Sequence, residues 1–218
     1  MVTFAREFCS ILPQATFMSG LRMLAAARAP CGFGAHLLHV LVWFFGDIAA
    51  VAADISTRLP EIHFSDGSSK LNGTADSATV LTRYKSGASG AIDVSWCTST
   101  GEGFSIDAVG EFGRLVIRAD GLGPQKAQLW LAGRSAREFE LQSIDESFQK
   151  VPGLDLRDDP KEPRRFPLTA MCAGMAEAVR AGNHLHAHPD FDEAYSVMRV
   201  VEAAYESAET GNWCDVYP

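Results

Sequence analysis

The chain has 218 residues, 47% hydrophobic and 21% charged, with a formal net charge of −8, which is the composition of a globular protein of one domain or one and a fraction. The acidic balance excludes a nucleic-acid binder, which would carry a basic stripe. No membrane span is expected either, because the apolar run from Leu37 to Ala53 is broken by His39, Gly46 and Asp47 and falls short of ~20 apolar residues.

Five cysteines (Cys9, Cys31, Cys97, Cys172, Cys214) form an odd set with no CxxC pair. They read as reduced thiols in a cytoplasmic protein, each a small core residue. Pro13 and Gln14 interrupt any apolar leader near the start.

Residues 1–30 read as an N-terminal arm of uncertain structure, with a weakly periodic helix from Met18 to Ala27 that Pro30 would end. Next comes Gly32-Phe-Gly34-Ala-His36, read as a tight glycine turn that opens a helix of about three turns, with His36 at its mouth. Gly46 is the expected stop, where a left-handed cap favours glycine. Leu37, Leu38, Leu41, Phe44 and Phe45 fall on one face, and Val40, Val42 and Trp43 on the other. A helix apolar on both sides must be covered on both sides.

From Ile48 the periodicity changes to two, predicting a strand to Thr57 and then a polar, turn-rich loop over 60–73. Alternating runs at Asp76–Lys85 and Ala91–Thr98, the second with Ile92, Val94 and Trp96 on one side, flank Ser86-Gly-Ala-Ser-Gly90 as a β-hairpin. Further strands are expected at Phe104–Val109, Arg114–Arg118, Ala127–Leu131 and Glu138–Leu141, and a long surface connection over 145–163. Leu168, Met171, Cys172, Met175 and Val179 predict a helix closed by Gly182. Asp190 or Asp192 would cap a second one striped by Ala194, Val197, Met198, Val201, Ala204 and Ala208, and Trp213–Tyr217 makes a last strand. The order predicts an α+β domain: a mainly antiparallel open β-sheet with helices on one face and no Rossmann domain. Its second face, with Val, Trp and Tyr candidates, predicts a homo-oligomer.

For chemistry, His36 is the first candidate, because histidine suits proton transfer near neutral pH. A capping or core histidine is the alternative. His36, His39 and Trp43 share a helical face. Two such histidines could touch a metal, but no spacing supplies further ligands. His184, His186 and His188 read as a solvated loop, and Arg164-Arg165 as a basic pair able to meet an anionic substrate. Asp76, Asp93 and Asp107 lie on or beside strands, with nothing in their spacing to select an acid–base pair. No GxxxxGK[ST], GxSxG or HExxH occurs, and Gly32-x-Gly34 lacks the third glycine of a dinucleotide fingerprint. No cofactor-binding residue and no metal ligand is therefore assigned.

The ordered motifs resemble a known family. Gly34-Ala-His36-Leu-Leu-His39 followed by Trp43-Phe-Phe-Gly46-Asp47 looks like the "GSHxxD…WxxGE" helix of the Gfo/Idh/MocA oxidoreductases, the glucose–fructose oxidoreductase and inositol dehydrogenase relatives. Asp76 to Gly90 resembles their "DxAxxxxxFxNGxxG" segment, Val109 to Leu115 their "GxxGxL" turn, and Phe191 to Trp213 their closing helix and "SaxxGxw" end.

The resemblance implies a C-terminal substrate-binding and oligomerisation domain over 31–218, forming a dimer or tetramer through its open sheet. It also implies NAD or NADP held by a Rossmann domain, here expected on a separate chain, and a small sugar or polyol as substrate. His36 carries over as the group that moves the hydroxyl proton, and His39, Trp43 and Arg165 stand as substrate-binding candidates. His39 departs from the family's Asp, and Lys161-Glu162-Pro163 reverses its Glu-Lys-Pro order. The isolated chain is accordingly expected to be inactive alone; the other reading is a non-catalytic scaffold or sugar-binding pseudoenzyme.

Overall fold

The computed structural model describes residues 21–23, 30–95, 97, 103–120, 127–145, 165–183 and 188–217, with the side chains of 21–23, 30–33 and 165–166 outside that description. Trp96, His184, His186, Arg164 and the connection over 146–164 thus lie outside the described residues. The chain divides into two compact units, one holding Val2–Gln142 with Ser196–Pro218 and the other Ser143–Tyr195 with Met1.

The first unit is built on β1 (Leu21–Met23), α1 (Pro30–Phe45), β2 (Ile48–Ser56), β3 (Glu61–His63), β4 (Ser69–Leu71), β5 (Ser77–Tyr84), β6 (Ser89–Ser95), β7 (Phe104–Gly110), β8 (Gly113–Ala119), β9 (Gln128–Gly133) and β10 (Glu140–Gln142). α2 (Arg165–Ala181) belongs to the second unit, α3 (Phe191–Thr210) begins there and continues in the first, and β11 (Cys214–Asp215) ends the chain. One sheet has the order β1-β6-β5-β2-β11 and another β10-β9-β8-β7, while β3 and β4 form a separate ribbon. β1 also runs alongside β7, bringing the two sheet edges together.

All of these pairings are antiparallel except β1 with β6. The α+β architecture expected from the sequence is therefore present. The helix expected over Met18–Ala27 is not: Leu21–Met23 is a strand that supplies a parallel partner to the edge of β6. A weak helical period yields where an open strand edge offers backbone pairing. The loop expected over 60–73 contains the β3–β4 ribbon, turned at Gly67 (φ +85°) and held by Phe64 N–H to Ser68 C=O at 2.8 Å. Strands of three residues with one apolar side chain each leave no alternation to read.

Alternation sets the two faces of the main sheet. In β5, Ala78, Val80, Thr82 and Tyr84 are buried, while Thr79, Leu81 and Arg83 are exposed. The inner face joins Val51, Val80, Ile92 and Val94 to Leu37, Leu38, Leu41 and Phe45 of α1 and to Val197, Val200, Val201 and Ala204 of α3. Phe104, Ile106, Ala108 and Leu115 extend the same core across the second sheet. Burying each such side chain favours folding by roughly 1.5–3 kcal/mol before chain entropy is subtracted.

The outer face departs from the expected Val, Trp and Tyr patch. Tyr84 turns inward, and the outward positions carry Thr79 hydrogen-bonded to Asp93 at 2.8 Å, exposed Leu81, and Arg83 over the Trp213 ring at 4.0 Å. Cross-strand polar pairs and a cation–π contact keep that surface mixed rather than oily.

In the second unit α2 forms as expected and ends at Gly182 (φ +61°), but its stripe of Leu168, Met171, Cys172, Met175 and Val179 is exposed. Cys172 is thus not the core thiol expected, whereas Cys214 is buried. Helical period alone gives a face, not its partner. The N-terminus of α3 is capped by Asp190, whose Oδ1 accepts Glu193 N–H at 2.9 Å while Glu193 Oε2 accepts Asp190 N–H at 2.9 Å. This reciprocal capping box selects Asp190 over Asp192. Among the described residues no helix is long and apolar enough to cross a membrane.

Candidate active site

α1 starts six residues before His36, at Pro30, whose fixed φ suits a first helical position. Gly32 and Gly34 are therefore helical, and the expected glycine turn with His36 at a helix mouth is corrected: His36 sits in the second turn. Two glycines cost the helix about 1 kcal/mol each, and the packing of Leu37, Leu38 and Leu41 outweighs this.

The helix has two committed sides. Leu37, Leu38, Leu41 and Phe45 are buried. His36 is exposed, His39 half-buried and Trp43 41% exposed, at positions i, i+3 and i+7 that share the opposite face. Trp43 also meets Phe44 edge to face, with ring centroids 5.0 Å apart. The sequence placed these three residues together, and the structure does too. Arg165 is the first residue of α2, in the second unit, and its side chain lies outside those described.

The far end of α1 is pinned. Gly46 (φ +84°) donates its N–H to Val42 C=O at 2.8 Å, Ser86 Oγ reaches Phe45 C=O at 3.3 Å, and Lys85 joins Asp47 twice. Its N–H meets the Asp47 carbonyl at 2.8 Å and its Nζ the Asp47 carboxylate at 3.0 Å. These bonds fix the helix to the β5–β6 hairpin and so orient its histidine stripe.

Beneath α1 lies an apolar crevice lined by Gly34, Leu38, Val80, Ile92, Val201 and Ala204, with a volume of about 30 Å³. It has space for a water but not for a substrate. The outward stripe of α1 is a surface rather than a closed pocket.

The three strand aspartates are otherwise engaged. Asp76 is buried and accepts Arg58 N–H at 2.7 Å, Leu59 N–H at 2.9 Å and Asn72 Nδ2 at 3.2 Å. Burial alone would raise its carboxyl, but the backbone donors of Arg58 and Leu59 outweigh this and hold it below the usual range. Asp93 accepts from Thr79, and Asp107 holds Arg114. His188 stands 3.4 Å from Glu193, whose same carboxylate closes the α3 cap. Gly32 and Gly34 lie inside α1 rather than in a loop after a strand, so among the described residues they do not form a phosphate cradle for a dinucleotide.

Sequence reasoning missed Ser207, which is buried and joins α3 to the edge of β2. The Ser-x-x-x-Gly spacing before Trp213 was its only signal.

An open, mainly antiparallel sheet backed by helices on one face, with a histidine-bearing helix across it, defines an α+β domain. The family described as the GFO/IDH/MocA C-terminal domain matches residues 27–116, so the resemblance seen in the sequence holds over those residues.

Solved structures share the fold. Levoglucosan dehydrogenase in complex with NADH and levoglucosan aligns with a TM-score of 0.75 at 16% identity, over 100% of this chain and 63% of that one. An oxidoreductase domain protein from Kribbella flavida aligns at 0.74 and 16% identity, over 100% and 64%. An oxidoreductase from Agrobacterium radiobacter in complex with NAD+, L-tartaric acid and magnesium aligns at 0.67 and 22% identity, over 99% and 60%. The chain thus spans about three fifths of the length of each. No curated protein matches.

Proposed function

We propose that this chain is the substrate-binding and oligomerisation domain of an NAD(P)-dependent Gfo/Idh/MocA-type oxidoreductase acting on a sugar or polyol. The observation that carries this is the outward stripe of His36, His39 and Trp43 on a helix whose other side is locked into the core. An aromatic ring beside two imidazoles suits a hydroxylated carbon skeleton: the ring packs on C–H bonds and the imidazoles meet hydroxyls. The similar structures support it, since one is in complex with NADH and levoglucosan and another with NAD+, L-tartaric acid and magnesium.

The part of the reaction assigned here is holding the substrate and moving its hydroxyl proton at His36. The redox chemistry belongs to a nicotinamide held by a nucleotide-binding domain outside these residues. The mixed outer sheet face serves for self-association in a homo-oligomer, a dimer or tetramer, in a cytoplasmic setting.

Two measurements test this. Calorimetry of the 218-residue chain with NADH is expected to show no binding; tight binding would overturn the cofactor assignment. Supplied with a nucleotide-binding partner, His36→Ala is expected to lower turnover by about a hundredfold or more, and an unchanged rate would remove His36 from catalysis. A non-catalytic sugar-binding scaffold is the second reading, favoured by glycines that sit within α1 instead of a phosphate loop. It predicts ligand binding with no His36-dependent turnover.

A further inference from the structure

We infer that the outward face of the second sheet carries a binding site for a zwitterionic amino acid with an aromatic side chain, separate from the α1 stripe. Arg118, Ala119, Asp120, Gln128 and Trp130 line an open hollow of about 360 Å³ there, a volume within the range of small-molecule sites. Leu115, Ala119, Leu129 and Leu131 turn to the core that α1 shares, so by alternation Arg118, Gln128 and Trp130 stand on the side away from α1. Arg118 lies directly across from Gln128. Asp120 is two residues beyond Arg118 and Trp130 two beyond Gln128, in opposite directions because β8 and β9 are antiparallel. The hollow therefore presents a carboxylate, then a guanidinium beside an amide, then a half-buried indole, at steps of about 7 Å.

The charged residues of β7 to β10 are Asp107, Arg114, Arg118 and Glu140. Asp107 and Arg114 neutralise each other, and Glu140 lies across from Leu131, whose side chain faces the core. Among the described residues, no ion pair or side-chain hydrogen bond engages Arg118, Asp120, Gln128 or Trp130. One unpaired positive and one unpaired negative group a step apart match a dipolar ligand rather than one of a single charge. A free amino acid sets its groups in the same order. Its carboxylate accepts two parallel N–H bonds from Arg118 and a third from the Gln128 amide, while its ammonium meets Asp120. Its ring then reaches the Trp130 indole in an offset stack.

L-phenylalanine, phenylpropionate and phenethylamine separate the contributions, because the second lacks the ammonium and the third the carboxylate. The experiment titrates each into the full chain and follows the Trp130 indole N–H by NMR, assigned from its loss in Trp130→Phe. The expected result is that L-phenylalanine moves this signal and binds about tenfold more tightly than either truncated compound. Arg118→Gln should weaken L-phenylalanine by a similar factor and leave phenethylamine unchanged. Asp120→Asn should weaken L-phenylalanine and leave phenylpropionate unchanged. Equal binding of the three compounds would overturn the inference, as would a Trp130 signal that L-phenylalanine leaves in place. A signal moved by methyl glucoside and not by L-phenylalanine would also overturn it, in favour of a neutral hydroxylated ligand. None of these variants touches α1, so each outcome leaves the function proposed above to its own tests.

Discussion

The hydroxyl of Ser207 in α3 accepts the backbone N–H of Ala53 in β2 at 2.9 Å and donates to the carbonyl of Asn212 at 2.5 Å. β11 is two residues long and pairs only with Ala50 and Val51 of β2, so the N–H of Ala53 points past the end of its strand partner. One side chain completes the ladder and closes the chain end after Gly211 (φ +72°). Ser207→Ala leaves a buried donor unmet, which costs about 1–3 kcal/mol. Urea unfolding should show a lower midpoint with an unchanged slope; an unmoved midpoint would count against the joint.

Asp76 roots the β3–β4 ribbon by fastening Arg58 and Leu59. Its folded pKa is lowered, so its stabilisation is present above the unfolded value near pH 4 and is lost as pH falls through the folded value. Asp76→Asn should therefore lower stability by about 1–3 kcal/mol at pH 7. It should also flatten the acid limb of stability as pH falls below the unfolded value. Parallel acid limbs in the two proteins would refute this.

Leu41 and Trp43 are two residues apart on opposite sides of α1. Leu41 is 0% exposed, and Leu41→Ala is expected to cost about 2–5 kcal/mol in thermal or urea unfolding. Trp43→Ala, which removes a partly exposed ring, should cost less than Leu41→Ala in the same measurement. A larger stability loss at Trp43 than at Leu41 would reverse the assignment of the faces.

Thiol reactivity offers a separate check. Cys172 is exposed, Cys214 is buried, and burial together with the adjacent Asp76 raises the Cys97 thiol above its ordinary value. Thiolate is the reactive form, so among these three iodoacetamide under native conditions should label Cys172 ahead of Cys97 and Cys214. Peptide mass spectrometry reads each site, and rapid labelling of Cys214 would contradict its burial.

The strands of the main sheet were legible because their inner faces are continuous: Ala78, Val80, Thr82 and Tyr84 alternate with the outward Thr79, Leu81 and Arg83. Gly46, Gly182 and Gly211 were legible as stops because positive φ leaves few alternatives. The start of α1 was not, since two glycines mimic a turn locally and only the packing of Leu37 and Leu41 shows otherwise. β1 and the β3–β4 ribbon were hidden for a related reason: three residues carry too little period to outvote their composition.

The candidate stripe was visible as spacing, and its resemblance to a family motif drew attention to His36. Ser207 stayed unassigned because its partners, Ala53 and Asn212, are backbone groups that no side-chain pattern advertises.

Because α1 gives one side to the interior and the other to solvent, the two sets of residues answer to separate pressures. On the function proposed above, substitutions at positions 36, 39 and 43 would retune what is recognised while Leu37, Leu38, Leu41 and Phe45 preserve the scaffold. A helix divided in this way lets ligand preference diverge among descendants without reopening the question of how the chain folds.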